Sequence, residues 1–272
     1  MTKRPIRLRQ ICLIVDALEP VLDVLTEIFE LQVCYGKADL SRYGVAPQPV
    51  PEFQKAFFEG LGLASAILPV GDCFLELVAP TCTDTAAARF LARKGEGGYM
   101  VITEVDSIAP YSHRAVEQNV RLAGEVDYPT YGELQMDPRD IGAAILSFSE
   151  QREGKPFDGG WFPAGPDWSR CVAPSYQGIR AAVLTVTDPE SVARKWGAMI
   201  GRPVRLTEKD CFEVDLDGAR LEFATGNANR LTAIEIEVND FDSLLERCAA
   251  AGLDTDGKGE IRFAGMALRA AS

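Results

Sequence analysis

The sequence predicts an α+β protein in which one βαβββ unit is used four times, and two observations carry that prediction. Four segments share one order: an apolar strand ending in valine, a polar cap, then an amphipathic helix. They are LRQICLIVDALEPVLDVLTEIFEL, GYMVITEVDSIAPYSHRAVEQ, IRAAVLTVTDPESVARKWGAMIG and LTAIEIEVNDFDSLLERCAAAG, with strand-ending Val15, Val105, Val186 and Val238. Each helix is followed by strand material closing on a similar stretch: DCFLELVAP, GAAILSFSE, GARLEFATG and GMALRAAS.

In the first unit Asp16 and Glu19 have the spacing of a capping box, which satisfies two orphan N–H groups at a helix start. Leu18, Val21, Leu22, Leu25, Ile28 and Phe29 then fall on one helix face. An insertion over 37–62 carries Pro47, Pro49, Pro51, Phe53, Phe57 and Phe58. It reads as a loop and short helix covering a pocket, or as an ordinary surface excursion. LASAILPVGDCFLELVAP predicts a hairpin turning at Gly71-Asp72, with Val70 opposite Cys73 and Ile67 opposite Glu76.

In the second unit Ile108, Ala115 and Val116 mark the buried helix side and leave His113 on the surface. The Gly/Pro-rich stretch after Gln151 is a connector, and its Trp161, Phe162 and Trp168 are expected to dock on a neighbouring domain. In the third unit Asp188-Pro189 is a capping acid before a first-turn proline. A hairpin at Asp217-Gly218 sends Phe212, Val214, Leu216, Leu221 and Phe223 toward helices. Its other face carries Glu213, Asp215, Arg220 and Glu222, with Asp215 opposite Arg220 as an ion pair. The fourth unit adds Glu235, Glu237 and Arg269 to that charged face. The expected division is 1–152, a connector 153–177, and 178–272.

Composition narrows the function. The 272-residue chain has a net charge of -12, which disfavours a phosphate backbone as partner; no nucleic-acid partner is expected. Seven cysteines without a CxxC pair read as free thiols of a reducing compartment. The apolar run at residues 11–15 is too short for a signal-peptide core, and no stretch suits a membrane span; a cytoplasmic location and no membrane partner are expected. His113 is the single histidine, so mechanisms needing two or three are excluded. No nucleophile motif, P-loop or GxGxxG signature occurs, and Gly95 to Gly98 precede a strand, so they form a turn.

A strand, a helix and three strands, four times over, resembles the vicinal oxygen chelate superfamily of glyoxalases, bleomycin-resistance proteins and ring-cleavage dioxygenases. The resemblance implies that modules pair into two curved mixed sheets, each closing around a cup with helices on the outside. It also implies a metal held by an early first-strand His or Gln and a last-strand Glu, each supplied twice. The corresponding residues are Gln10, Glu76, Met100 and Ser147 in the first pair, and Ala181, Glu222, Ala233 and Arg269 in the second. Only Gln10 and Glu76 suit a metal in the first cup, leaving a weakly bound divalent ion as the one cofactor to consider. Ring-cleavage chemistry, which in this family needs two His and one Glu, is ruled out.

Strand alternation sends Ser65, Ile67, Pro69, Phe74, Glu76 and Val78 into the first cup with Gln10, Cys12, Ile14, Met100, Ile102, Ile145 and Ser147. An apolar hollow with few polar groups suits a small-molecule ligand. The expectation is an enzyme of lyase, isomerase or proton-transfer type acting on an oxygenated, partly apolar metabolite. Glu76 is its acid or base, assisted by Tyr99; Gln10, Cys12, Ile67, Phe74, Met100, Ile145 and Ser147 bind substrate. The blander reading has Glu76 solvated, or satisfied by Gln10, Arg42 or Arg139. The alternative function is a non-catalytic sequestering protein of the bleomycin-resistance type. The charged second cup reads as a solvated sheet face or as a cation site on Glu213 and Glu222. A monomer or homodimer is expected.

Overall fold

A computed structural model describes residues 4–46, 62–208, 210–256 and 259–271. The insertion's Pro47, Pro49, Pro51, Phe53, Phe57 and Phe58 lie outside the described residues.

The first unit runs β1 (Ile6–Ile14), α1 (Leu18–Glu27), β2 (Tyr35–Gly36), β3 (Leu63–Val70) and β4 (Cys73–Pro80), paired in the order β2-β3-β4-β1. A helix outside the repeat, α2 (Ala86–Lys94), leads to the second unit. That unit holds β5 (Gly97–Val105), α3 (Ala109–Glu117), β6 (Leu122–Asp127), β7 (Tyr131–Met136), the single turn α4 (Pro138–Ile141) and β8 (Ile145–Gln151). The third holds β9 (Tyr176–Val186), α5 (Pro189–Ile200), β10 (Val204–Leu206), β11 (Phe212–Asp215) and β12 (Arg220–Thr225). The fourth holds β13 (Arg230–Val238), α6 (Phe241–Ala250), β14 (Asp254–Thr255), β15 (Glu260–Phe263) and β16 (Met266–Ala270). In every unit the first and last strands pair in parallel: β1 with β4, β5 with β8, β9 with β12 and β13 with β16. Units join through antiparallel β1–β5 and β9–β13.

The 16-stranded array thus has two halves, whose strand ladders join among the described residues at one pair, Leu231 opposite Gly98. A Cβ on Gly98 would lie 2.6 Å from the Leu231 carbonyl oxygen, so only glycine lets the strands touch there. Gly98→Ala should therefore cost about 1–3 kcal/mol, read as a lower denaturant midpoint. An unchanged midpoint would mean the two halves do not meet through this pair.

Helices α1, α3, α5 and α6 contribute Leu22, Tyr111, Trp196 and Leu244 to one buried core, whereas α2 packs Phe90 and Leu91 toward the first cup. Trp196 of α5 is fully buried; its indole N–H donates to the Ile141 carbonyl at 3.1 Å, and its ring meets Phe223 at 5.6 Å. Phe29, just after α1, packs on Phe263 at 5.6 Å, and Arg247 of α6 donates to the Ile28 carbonyl. One hydrophobic core therefore runs through both halves.

Asp188 caps α5 by accepting from the Ser191 N–H, and Asp240 does the same for α6 through Ser243. Three local expectations are corrected. The Asp16/Glu19 box does not form. Glu96 accepts the Asp16 N–H at 2.8 Å, and the helix starts behind Ala17 with no side-chain cap. In α3 the anchors are Tyr111, stacked on Phe148 at 4.1 Å, and Ala115; Val116 is 82% exposed and His113 is exposed. Asp215 does stand opposite Arg220, but that guanidinium turns inward to Glu235 and Glu213. Among the described residues no helix is long and apolar enough to cross a membrane.

Candidate active site

The predicted hairpin register is the observed one, with Val70 opposite Cys73 and Ile67 opposite Glu76. Across the concave face of the first sheet, Ile67, Glu76, Cys12, Met100 and Ile145 form one row. Pro69, Phe74, Gln10, Ile102, Ser147 and Gln135 form the next. Two bulges between β1 and β5 skip Arg9 and Tyr99 in the ladder. Each bulge puts neighbouring residues on the same side, so Arg9 joins Gln10 and Tyr99 joins Met100 in the cup.

Cys12, Ile14, Ile67, Phe74, Val78, Met100, Ile102 and Ile145 form an apolar cluster separate from the main core. The connector completes it. Trp161 is 2% exposed and stacks on Phe74 at 6.2 Å; Trp168 meets the Phe74 edge at 4.9 Å; Phe162 stacks on Tyr131 at 5.1 Å. The three aromatics do dock, and they dock inside the first cup. Arg9, 1% exposed, holds them there. Its guanidinium donates to the carbonyls of Asp72 and, at 2.8 Å, Gly159, and lies near the Phe74, Trp161 and Trp168 rings. It also faces Glu104 at 3.3 Å. Burial lowers its pKa to about 10, so it stays charged.

Glu76 has company. Trp161 donates to Gln10 Oε1 at 2.6 Å, and Gln10 Nε2 donates to Glu76 Oε2 at 2.7 Å. Burial, with Glu76 close by, pushes the Cys12 thiol well above its usual range. Arg42 and Arg139 are engaged elsewhere, by Asp23 and Asp137. A second buried acid, Glu133 on β7, accepts from Ser147 Oγ at 2.6 Å. Tyr131 donates to Ser149 at 3.0 Å beside it. Burial raises the pKa of Glu133, and burial raises that of Glu76, with Glu133 adding like-charge repulsion and Lys37 opposing the rise. Lys37 follows β2, anchored by its N–H to the Ser65 carbonyl at 2.8 Å. Burial lowers its amine to about 8, against the pull of Glu76 and Glu133. Burial pushes the Tyr99 phenol up to about 12, so it remains a neutral donor, and its ring packs on Phe90 of α2 at 5.1 Å.

Lys37, Glu76, Phe90 and Tyr99 keep partial exposure, and Met100 and Ile145 keep 7% each. These residues border what remains open of the cup. The geometry brings Gln10, Cys12, Ile67, Phe74, Glu76, Tyr99, Met100 and Ile145 together. Ser147 lies in the same wall but commits its hydroxyl to Glu133. Lys37 and Glu133 are site residues the sequence reading missed. Glu133 was accessible to it, since Tyr131, Glu133 and Gln135 alternate with apolar Leu134 and Met136.

This donor set does not fit a divalent metal. The Gln10 carbonyl oxygen, its ligating atom, accepts from Trp161, and its amide nitrogen faces Glu76. Met100 and a serine bonded to Glu133 occupy the other two positions. Among the described residues no three His, Cys, Asp or Glu side chains are grouped to hold an ion.

The second cup is lined by ion pairs over a floor of Val183, Ala233 and Ala267. Arg220 binds Glu235 at 2.7 Å and faces Glu213 at 3.4 Å; Arg205 also binds Glu213; Arg269 binds Glu260 at 2.7 Å. With Glu213 shared by two guanidiniums, a cation site on Glu213 and Glu222 is not present.

No family model matches the chain, and no curated protein matches it. Among solved structures, a hypothetical protein from Staphylococcus aureus superposes with TM-score 0.66 at 11% identity, covering 98% of this chain and 99% of that one. That match shows a shared fold over nearly the whole length. A hypothetical protein from Bacillus halodurans (TM-score 0.43, 19% identity) covers 55% of this chain and 96% of its own. Methylmalonyl-CoA epimerase from Mycobacterium tuberculosis (TM-score 0.41, 17% identity) covers 53% of this chain and 87% of its own. Both are half-chain likenesses too loose to carry an argument about chemistry.

Proposed function

We propose that the chain is a small-molecule enzyme of the glyoxalase-like kind, moving a proton on an oxygenated, partly apolar metabolite in its N-terminal cup without a metal. One observation carries this reading. Two buried carboxyls with raised proton affinity share an apolar cup with an amine of lowered proton affinity. Raised carboxyls and a lowered amine draw closer in proton affinity, which favours proton exchange of the kind acid–base catalysis of an isomerase or lyase type needs. Glu76 is the acid or base, bordering the opening; Gln10, itself fixed by Trp161, orients it. Tyr99 offers a neutral hydroxyl to a substrate oxygen, and Met100, Ile145 and Phe90 supply apolar contact.

The test begins with a thermal-shift screen of small carbonyl metabolites, since a ligand that binds only the folded state raises the melting temperature. Hits are then followed for solvent deuterium incorporation by NMR. Glu76→Gln should lower exchange about 100-fold while leaving affinity nearly unchanged. A sequestering protein is the second reading, favoured by the aromatic packing of Phe74, Trp161 and Trp168. It would show binding with no exchange in the unsubstituted protein.

A further inference from the structure

We infer that Trp161, carried into the first cup by the connector, sets the size of the substrate. It fills the aromatic half of the cup and leaves the Glu76 half to a small carbonyl compound with a short alkyl chain. This rests on the small-molecule reading of the same cup and narrows its substrate class. The two rows across the concave face carry the argument. In the row of Glu76, Cys12, Met100 and Ile145, Glu76 is partly exposed and Met100 and Ile145 are 7% exposed each. The next row is sealed: Phe74, Gln10, Ile102 and Ser147 are at most 4% exposed. The connector supplies the seal. The Trp161 indole N–H donates to Gln10 Oε1 at 2.6 Å, and its ring stacks on Phe74 at 6.2 Å and meets Tyr131 edge-on at 6.1 Å. Trp168 meets the same Phe74 ring edge-on at 4.9 Å.

Docking of a linker ring needs only apolar area. Here the indole also takes Gln10 Oε1, the acceptor that a ligand in this half would use, so the chain provides its own occupant. That occupant is fixed on both flanks. Before it, Arg9 donates to the carbonyls of Gly159 at 2.8 Å and Gly160 at 3.4 Å; after it, the Phe162 N–H donates to Gln151 Oε1 at 2.8 Å. A close-packed wall held in this way excludes extra ligand atoms at a cost of the same kind as overpacking a core. Glu76 and Phe74 are two residues apart on β4, so the two rows lie about 7 Å apart. A ring placed two carbons beyond a carbonyl at Glu76 therefore falls where the indole lies.

Ligand-observed NMR titrations of the full-length protein compare 2-butanone with 4-phenyl-2-butanone, which adds a ring at that distance. Trp161→Ala and Trp161→Leu are titrated alongside; the leucine variant keeps part of the packed volume and serves where the alanine variant does not fold. Each variant should bind 4-phenyl-2-butanone at least about tenfold more tightly than the parent, with affinity for 2-butanone nearly unchanged. A purely structural role for Trp161 would instead weaken both ketones together. Indole, which matches the vacated ring and its N–H donor, should raise the melting temperature of Trp161→Ala by more than that of the parent. Equal binding of 4-phenyl-2-butanone by parent and variants, all of them binding 2-butanone, overturns the size limit and leaves the small-molecule reading standing. An equal effect of indole on parent and Trp161→Ala overturns it as well. Binding of no carbonyl compound by parent or variants removes the small-molecule reading, and the size limit with it.

Discussion

Trp161→Ala is expected to lower the stability of the protein by about 3–5 kcal/mol, seen as a fall in the guanidinium midpoint with the slope unchanged. The side chain is 2% exposed, stacks on Phe74, meets the Tyr131 ring edge-on at 6.1 Å and lies under the Arg9 guanidinium at 5.5 Å. Truncation opens a void in a cup whose other walls are strands and cannot close on it. It also removes the donor to Gln10 Oε1, leaving a buried carbonyl oxygen unsatisfied. Trp161→Phe separates the two effects: it retains most of the apolar volume and should lose about 1–3 kcal/mol, the cost of the orphaned amide. The same substitution frees Gln10 to rotate, so Glu76 loses its oriented partner. A loss below about 1 kcal/mol for Trp161→Ala would mean that the connector is not part of the folded core.

That the connector belongs to the site is the clearest instance of what a linear reading could not reach. Three large aromatics in a Gly/Pro-rich stretch signal docking, because burying such rings outweighs leaving them in water. Which surface receives them depends on Arg9, whose side chain reaches the cup through a bulge. Counted from Gln10, Cys12 and Ile14 in the cup, strict alternation would place Arg9 with Ile11 and Leu13 toward the helix layer. The skipped position turns Arg9 and Gln10 to one side, and the same event brings Tyr99 beside Met100. Hairpin registers were legible because Gly71, at φ 61°, and Gly218, at φ 84°, occupy turns that demand a left-handed backbone. The charged face of the second hairpin was legible too, but its pairing was not. Arg220 stands opposite Asp215 on the ladder yet reaches Glu235 on a strand two places away, and long side chains do not obey nearest-neighbour rules. Lys37 escaped notice for a related reason. It follows a strand of two residues, too short to show a period, and only the fold carries it over to Glu76 and Glu133.

Lys37→Met should make the protein more stable near pH 7. Burial holds the Lys37 amine at about 8 instead of 10.5, so the folded state favours the neutral amine. Above the unfolded value both states are neutral and the substitution changes little. As pH falls from about 10.5 to about 8, the unfolded chain takes up the proton while the folded protein resists it, and stability is lost; below about 8 both states are charged and the loss is complete. That loss reaches at most about 3 kcal/mol, at about 1.4 kcal/mol per pKa unit, reduced by the exposure Lys37 retains. Glu76 and Glu133 act in the opposite sense. Their raised affinity for protons contributes stability that is present below the ordinary carboxylate range and fades as pH rises through their folded values. The unsubstituted protein should therefore lose stability on leaving acid pH and regain some as Lys37 sheds its proton above about 8. Lys37→Met should show the first change without the second, in denaturant midpoints measured from acid to alkaline pH. A Lys37→Met protein less stable than its parent near pH 7 would show that attraction to the two carboxylates exceeds the cost of burial. The amine would then be a structural counter-ion, held charged.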